Sequence, residues 1–426
     1  MKVDLPYGDK RVSVELPKDR VLFVIKPIEF PGVEDEEGEI RRAIRNPIAC
    51  PKIRELVKAG QKAVIIADDL TRVTPCKKII PILLDELNAA GVRDEDIKVV
   101  VALGTHRPMT EEELLERFGK EVLERVSVIN HTPKGKKNLL FLGNLASGTP
   151  LLINKEVYEA DIKIALGNVI PHCYGGWAAG AKAILPGVSG EVTTGVVHVV
   201  GARITVDKLI GDENNPVRRE MEEAGRKVEL NMIVNTVLNG RGQIVKLFAG
   251  DMIKAHREAI KEAKKIYVQE APGEADIVLV SSHPADIDYY QAIKGLFAAY
   301  KVVKRGGTMI LLTPCPEGIA QTHPIIGECG RVPTSEEIDQ MAKEKKIKDL
   351  AGIAAAMLHA QMKEKANLIF VSEGLTKEMC DALGVQKAES LEEAVRIALK
   401  RHGNRAAFGV LTHSELIALV KKPQIR

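Results

Sequence analysis

The chain has 426 residues, of which 45% are hydrophobic, so it is long enough for roughly two or three domains with large cores. Charged residues make up 28% of the chain and almost cancel, to a net charge of +3, which indicates neither nucleic acid nor an acidic membrane surface as a partner. The N-terminus lacks the apolar core of a signal peptide, and no apolar run reaches the roughly 18 residues of a membrane helix. The six cysteines show no CxxC spacing, which favours a reducing, cytoplasmic location.

Strands and helices alternate through the first part of the chain. Strands are predicted over 2–7, 11–16, 21–26, 63–67, 97–103, 126–130 and 162–166, and helices over 34–45, 75–90 and from Thr110 onward. This alternation is typical of an α/β fold with a mainly parallel sheet, in which ligands bind beyond the carboxyl ends of the strands. Four polar residues follow predicted strands: Asp69, Arg72, His106 and His172. We expect them to meet at one edge of the sheet, although each taken alone could be a helix cap or a surface side chain.

A second α/β unit follows a break in the pattern at residues 270–273. Before the break, the sequence predicts a helix over 216–226, a hairpin with arms 229–238 and 243–247 around an Asn239-Gly240 turn, and a helix over 252–268. After it, strands are predicted over 275–281, 308–313, 368–371 and 406–411, and helices over 289–303, 335–346, 350–363, 391–401 and 414–420. We therefore predict an N-terminal α/β domain over 1–271, a smaller C-terminal α/β domain over 272–412 and a helical tail over 413–426.

The stretch from Ala165 to His198 combines a glycine run with a lysine and two histidines. Glycines allow the backbone to approach a ligand closely, and a lysine after such a run is typical of an anion or cofactor site. A phosphate-binding P-loop is not matched, because Ala181 separates Gly180 from Lys182 and Ala183 replaces the Ser or Thr that holds magnesium. The alternative is a glycine-rich turn packed inside a domain. The absence of a GxGxxG fingerprint disfavours an oxidoreductase with a diffusible dinucleotide.

Several motifs together resemble the nickel-pincer-nucleotide-dependent lactate racemase family. They are Asp-Asp-Leu-Thr-Arg at 68–72, Gly-Thr-His-Arg-Pro at 104–108, Pro-His with the glycine run at 171–180, Lys182, His198, and Tyr-Tyr-Gln at 289–291 with Lys294. The resemblance covers nearly the whole chain. It implies an isomerase that racemises or epimerises a small 2-hydroxy acid, with an active site in the cleft between two α/β domains. The implied cofactor is a pyridinium-3,5-bisthiocarboxylic acid mononucleotide that holds nickel in a sulfur–carbon–sulfur pincer, made by dedicated cofactor-biosynthesis enzymes.

The resemblance also implies a role for each matching residue. Lys182 matches the lysine joined to the cofactor, His198 matches the nickel ligand, and both would belong to the N-terminal domain. The two catalytic histidines would be His106 and His172, since inverting either enantiomer requires a proton acceptor on each face of the substrate. The other implied cofactor-binding residues are Asp69, Thr71, Gly175, Gly176 and Gly180, and the implied substrate-binding residues are Arg72, Tyr290, Gln291 and Lys294.

Two departures from the family pattern bear on the substrate. Val73 replaces the proline that usually follows the arginine, and Trp177-Ala178-Ala179 stands where the family often has Phe-Ser-Gly. The same chemistry on malate, an aromatic hydroxy acid or a sugar acid is therefore the alternative to a lactate-like substrate. A non-catalytic carrier of the cofactor is the alternative of a different class, but such a carrier would need only Lys182 and His198.

Overall fold

The computed structural model describes residues 1–135 and 137–421. The strands in that part of the chain are β1 Lys2–Tyr7, β2 Lys10–Glu15, β3 Val21–Ile25, β4 Ala63–Asp68, β5 Ile97–Ala102, β6 Ser127–Asn130, β7 Leu139–Asn144, β8 Pro150–Asn154, β9 Ile162–Asn168, β10 Pro171–His172, β11 Gly176–Trp177, β12 Met232–Leu238, β13 Ile244–Gly250, β14 Val268–Ala271, β15 Ala275–Ser281, β16 Val303–Leu312, β17 Asn367–Val371, β18 Gln386–Ala388, β19 Phe408–Leu411 and β20 Ile417–Val420.

The α-helices are α1 Glu36–Arg45, α2 Ile53–Leu56, α3 Cys76–Ala89, α4 Glu111–Phe118, α5 Lys120–Arg125, α6 Lys155–Glu159, α7 Glu191–Ala202, α8 Val206–Leu209, α9 Pro216–Lys227, α10 Lys254–Tyr267, α11 Tyr289–Tyr300, α12 Ile325–Cys329, α13 Ser335–Glu344, α14 Leu350–Lys365, α15 Lys377–Leu383 and α16 Leu391–His402. Short 3-10 helices cover Lys18–Arg20, Asp94–Asp96 and Gly180–Ala183. Among the described residues, no helix combines the length and the apolar character needed to cross a bilayer.

The first of two large sheets has the order β13-β12-β9-β4-β5-β6 among the described residues, and β13 alone runs antiparallel to its neighbour. Its strand β4 is apolar along almost its whole length, because its two faces pack into different apolar clusters. Strands of a parallel sheet are buried on both faces and are therefore continuous apolar runs. The strands predicted over 63–67, 97–103, 126–130 and 162–166 are confirmed.

The second large sheet has the order β18-β17-β16-β15-β19-β3, and all its described strands are parallel. The strands predicted over 275–281, 308–313, 368–371 and 406–411 are confirmed within it. Its edge strand β3 comes from the N-terminus, and the β1–β2 hairpin packs on the same sheet. Residues 1–25 therefore contribute a strand and a hairpin to the sheet of the C-terminal half. By pairing with β19, β3 provides hydrogen-bond partners for backbone N–H and C=O groups of β19 that would otherwise be unpaired at the edge of the sheet.

Two local predictions are wrong. The predicted helical tail over 413–426 is a strand at Ile417–Val420, because its backbone pairs in parallel with β14 and Ile417 is buried in the main core; residues 422–426 lie outside the described residues. The predicted two-residue turn at Asn239-Gly240 is a longer loop, in which the Asn239 amide N–H donates to the Gln243 carbonyl at 3.0 Å. The Asn239 side-chain oxygen accepts from the backbone N–H groups of Arg241 and Gln243, which stabilises that loop.

Helix α7 joins the two halves of the molecule and was not predicted. Its sequence, EVTTGVVHVVGA, has almost no polar face and is rich in β-branched residues, so it lacks the periodicity of a surface helix. It packs on α14, which is also buried nearly all round. A Cβ at Gly195 would lie 2.6 Å from the Leu350 side chain, so glycine permits this close approach. Gln361 on α14 donates to the carbonyl of Ala202 at 2.6 Å.

Candidate active site

A cleft with an empty volume of about 960 Å³ lies between the carboxyl edge of the first sheet and helices α11 and α14 of the second half. The predicted site residues that line it are Asp69, Arg72, His106, His172, Lys182, His198, Tyr290, Gln291 and Lys294. Asp69 directly follows β4 of the first sheet, and His106 and His172 each lie four residues after the end of a strand of that sheet, β5 and β9, in line with the rule for parallel sheets. The residues on α11 reach the same cleft from the other half.

His106 is held between a carboxylate and an amide. Its Nδ1 lies 2.5 Å from Oδ2 of the buried Asp69, and its Nε2 lies 2.9 Å from Nε2 of Gln291. Burial alone raises the pKa of Asp69, but the charges of His106 and Arg72 lower that pKa well below its usual range, so the group is a carboxylate. Because a carboxylate can only accept, the proton of neutral His106 is on Nδ1 and Nε2 is a proton acceptor.

In His172, Nδ1 accepts hydrogen bonds, whereas in His106 it donates one. It lies in the β10–β11 hairpin, and its Nδ1 accepts the backbone N–H groups of Tyr174 and Gly175, both at 3.3 Å. The proton of the neutral ring is therefore on Nε2. Burial lowers the pKa of His172 well below its ordinary value, and the positive charges of Lys182 and Lys294 lower it further. The cleft thus contains one imidazole that accepts a proton at Nε2 and another that carries a proton there.

Three cationic side chains line the cleft without an ion pair: Arg72, Lys182 and Lys294. Among the described residues, none of them has a carboxylate oxygen within 4.0 Å. Arg72 donates to the Thr71 hydroxyl at 2.8 Å and to Oε1 of Gln291 at 3.4 Å, and Lys294 donates to the same oxygen at 2.5 Å. Burial, followed by the charge of Arg72, lowers the pKa of Lys182 to about 7 and that of Lys294 well below its usual value. An anionic ligand beside these side chains would favour the protonated form of both lysines.

His198 lies on α7 and is 6% exposed. Burial, then the charge of Lys182, lowers its pKa to about 3, so the imidazole is neutral and has a free lone pair. Its buried Nδ1 has no hydrogen-bond partner. A neutral imidazole is the form that binds a metal ion. Within residues 1–135 and 137–421, no three His, Cys, Asp or Glu side chains form a group that could hold a metal ion.

Gly175, Gly176 and Gly180 are not among the residues that line the cleft, and their contact with a cofactor stays a prediction. A Cβ at Gly175 would lie 3.1 Å from the guanidinium of Arg218, and one at Gly180 would lie 2.9 Å from the His256 ring. The buried Arg218 donates to the carbonyls of 175, 177 and 179, and His256 contacts that of 178. The run is glycine-rich because these two side chains hold its backbone from behind. This packing is the alternative that the sequence had left open.

We expect Gly176→Ala to be among the more destabilising substitutions in this run. Gly176 has φ +70°, and an added Cβ would collide with the carbonyl oxygen of Asp212. Gly148 is the matched control, because it has φ +89° and open space around it. Both alanine variants strain the backbone, but overpacking should cost Gly176→Ala about 1–3 kcal/mol more. Denaturant unfolding of the two variants measures this difference, and equal losses in the free energy of unfolding would contradict it.

Further contacts between the two halves surround the site. Thr71 lies beside the cleft and not on it: its hydroxyl donates to Asp69 and accepts from Arg72. The residues missed by the sequence analysis are Thr105, which contacts His323 at 3.0 Å, and Arg107, which pairs with Glu317. Thr105 and Arg107 flank His106 in the 104–108 motif, which was a usable signal. No sequence signal pointed to His323 or Glu317, since only the tertiary structure brings them to this loop.

Family models match both halves of the chain. The model described as lactate racemase N-terminal domain matches residues 7–207, and the model described as lactate racemase C-terminal domain matches residues 268–415. The lactate racemase of Thermoanaerobacterium thermosaccharolyticum is 32% identical over 321 residues, which cover 74% of this chain and 75% of that protein. The lactate racemase of Lactiplantibacillus plantarum is 28% identical over 417 residues, which cover 96% of this chain and 97% of that protein.

Solved structures agree with these matches. The structure of the lactate racemase apoprotein from Thermoanaerobacterium thermosaccharolyticum superposes with a TM-score of 0.87 at 28% identity, over 99% of this chain and 100% of that one. A Thermotoga maritima protein, with a TM-score of 0.72 at 17% identity over 92% of this chain and all of that one, shares the fold. The resemblance predicted from the motifs is confirmed. This chain belongs to the lactate racemase family and is an enzyme of the isomerase class.

Proposed function

We propose that this protein racemises a small 2-hydroxy acid, with lactate as the first candidate, through hydride exchange at C2 and a 2-keto acid intermediate. The observation that carries the proposal is the composition of the cleft. Arg72, Lys182 and Lys294 lie there without an ion pair to any described carboxylate, together with two histidines that use Nδ1 for their internal hydrogen bonds, to Asp69 in His106 and from backbone N–H groups in His172. Cations suit the carboxylate of the substrate, and the two histidines suit proton transfer in either direction. The relatives named above carry the name lactate racemase.

The residues present fit the nickel-pincer nucleotide of the family. The neutral imidazole of His198 would bind the nickel, and soft sulfur and carbon donors with an imidazole suit Ni(II). Lys182, with a pKa of about 7, is neutral often enough for its amine to condense with a thiocarboxylic acid arm, which would give a thioamide and release water. When bound, this group would supply a reversible acceptor for the C2 hydride.

Arg72 and Lys294 are the proposed anchors of the substrate carboxylate. Both donate to Oε1 of Gln291, so that amide keeps the two cations at a common position. A guanidinium can bind a carboxylate through two parallel hydrogen bonds, which would fix the plane of the acid. Because burial, followed by the charge of Arg72, lowers the pKa of Lys294, an anion between the two side chains would favour the protonated form of Lys294.

His106 and His172 are the proposed acid–base pair. His106 takes the hydroxyl proton of one enantiomer at Nε2, and Asp69 stabilises the imidazolium that results. His172 holds a proton at Nε2 that it can return to the carbonyl oxygen from the other face. For the opposite enantiomer the roles exchange. The positive neighbours that lower the pKa of His172 are partly neutralised once a carboxylate binds, which brings His172 closer to the range of a useful base.

The proposal is tested with protein co-produced with the enzymes that make the cofactor. One enantiomer at a time of lactate, malate, an aromatic 2-hydroxy acid and a sugar acid is supplied, and the appearance of the other configuration at C2 is followed by chiral chromatography. Lactate is expected to give the highest rate. A higher rate on another acid would change the substrate, and no inversion of any of them by nickel-loaded protein would contradict the reaction.

We expect Lys182→Ala to abolish covalent retention of the cofactor. Intact-protein mass under denaturing conditions should show an added mass on the loaded wild-type chain and none on the variant. Since burial and Arg72 lower the pKa of Lys182 to about 7, attachment should weaken below pH 7, where the amine is protonated, and change little above pH 8. An active wild type without added mass would show that Lys182 acts only as a charge partner. Lys294→Ala is the control, because that variant keeps Lys182.

A further inference from the structure

We propose that Tyr174 is a positioning residue for His198: its ring, stacked on the imidazole, aims the ring nitrogen that faces the cleft. The inference rests on the proposed role of His198 as the nickel ligand. A metal-binding histidine usually donates its other N–H to a carboxylate, carbonyl or water, and that hydrogen bond fixes the orientation of the ring. In this protein another contact has to take its place.

The hydrogen bond expected of a ligating histidine is missing among the described residues. Nδ1 of His198 is buried and has no hydrogen-bond partner there. The ring lines the cleft, so Nε2 is the nitrogen left for a ligand. With no polar partner behind it, nothing polar prevents the imidazole from rotating about its Cβ–Cγ bond.

The stack with Tyr174 supplies that restraint. The two ring centroids lie 4.4 Å apart and the ring planes differ by 14°. Tyr174 is 5% exposed, so its own ring is fixed by packing. Gly201, one turn after His198 on α7, makes room for it, because a Cβ there would lie 2.6 Å from Cδ1 of Tyr174. The backbone N–H of Tyr174 also donates to Nδ1 of His172, so this one residue contacts both the proposed nickel ligand and one of the two proposed acid–base histidines.

The stack uses the ring of Tyr174 and not its hydroxyl, so substitutions can test the two parts of the side chain separately. Tyr174→Phe keeps the stack and should behave as the wild type. Tyr174→Leu removes the stack, and Gly201→Ala displaces the tyrosine ring without deleting it. Phe118→Leu is the control for loss of a buried aromatic ring, because Phe118 is 0% exposed and belongs to the other apolar cluster, away from the cleft.

The experiment compares these variants after co-production with the cofactor-making enzymes. Nickel K-edge X-ray absorption reports imidazole bound to nickel, metal analysis gives nickel per chain during dialysis against a chelator, and thermal unfolding reports the fold. Tyr174→Leu and Gly201→Ala should show a weakened imidazole signal and release nickel at least about tenfold faster than the wild type, the usual effect of losing a residue that orients a ligand. Tyr174→Phe and Phe118→Leu should match the wild type in both measurements.

The outcomes distinguish this inference from the proposed function. If the wild type itself shows nickel without imidazole, the role of His198 is wrong and the inference falls with it. If the wild type shows imidazole and both Tyr174→Leu and Gly201→Ala keep the full signal and slow release, the inference alone is overturned. Should Tyr174→Leu not fold, Gly201→Ala decides, because alanine favours the helix that carries it.

Discussion

His106→Ala and His172→Ala are each expected to lower the racemisation rate at least about a hundredfold in both directions, the usual effect of removing a positioned acid–base group. The reason is that the two imidazoles hold their protons at opposite nitrogens, and each direction of the reaction needs one that accepts and one that donates. Neither can replace the other. A loss in one direction only would indicate a single base and a different mechanism.

The measurement uses nickel-loaded variants and starts from each enantiomer of the best substrate. His402→Ala is the matched control, since His402 bonds Thr308 in the second sheet, away from the cleft. Nickel content is determined for every variant, so that a slow enzyme is not confused with an unloaded one. If either variant retained nearly the wild-type rate in both directions, the two-histidine mechanism would be refuted.

The second large effect is expected for His198→Ala, which should lose most of its nickel and with it the racemase activity. The side chain is neutral, buried and free of a hydrogen-bond partner at Nδ1, so its removal breaks no internal hydrogen bond. The fold should therefore remain, with a nearly unchanged thermal midpoint. Metal analysis of the purified variant gives nickel per chain, and added imidazole should restore part of it by filling the space left in the cleft. Full nickel occupancy in the variant without imidazole would remove His198 from the metal site.

The gathering of Asp69, His106 and His172 at one edge was predictable, because it follows from the strand pattern alone. Parallel strands place their carboxyl ends together, so the residues after each apolar run had to meet. Gln291 and Lys294 lie 185 residues or more further along the chain than His106, and only the family motif indicated them. The contact of Gln291 with His106 and Arg72 depends on how α11 faces the first sheet, and no local sequence pattern contains this information.

The glycine run shows the limit of a local motif. Its composition correctly predicted a backbone that other groups approach closely, and in the structure these groups include Arg218 and His256. These side chains lie on α9 and α10, and nothing in the run itself identifies them. A glycine indicates that its backbone needs space for a close neighbour, but it does not indicate which group that neighbour is.

By itself, the sequence determined the α/β class, the two mainly parallel sheets, the family and nine of the residues that line the cleft. These properties depend on local periodicity and on short motifs that keep their spacing. The tertiary structure alone decided that β3 joins the second sheet, that Ile417–Val420 is a strand beside β14, and that the Val-rich segment of α7 is a helix packed on α14. It also placed Asp69 and Gln291 at the two ring nitrogens of His106. In each case the deciding partner is distant in sequence, and the burial or hydrogen bond that it provides outweighs the local preference.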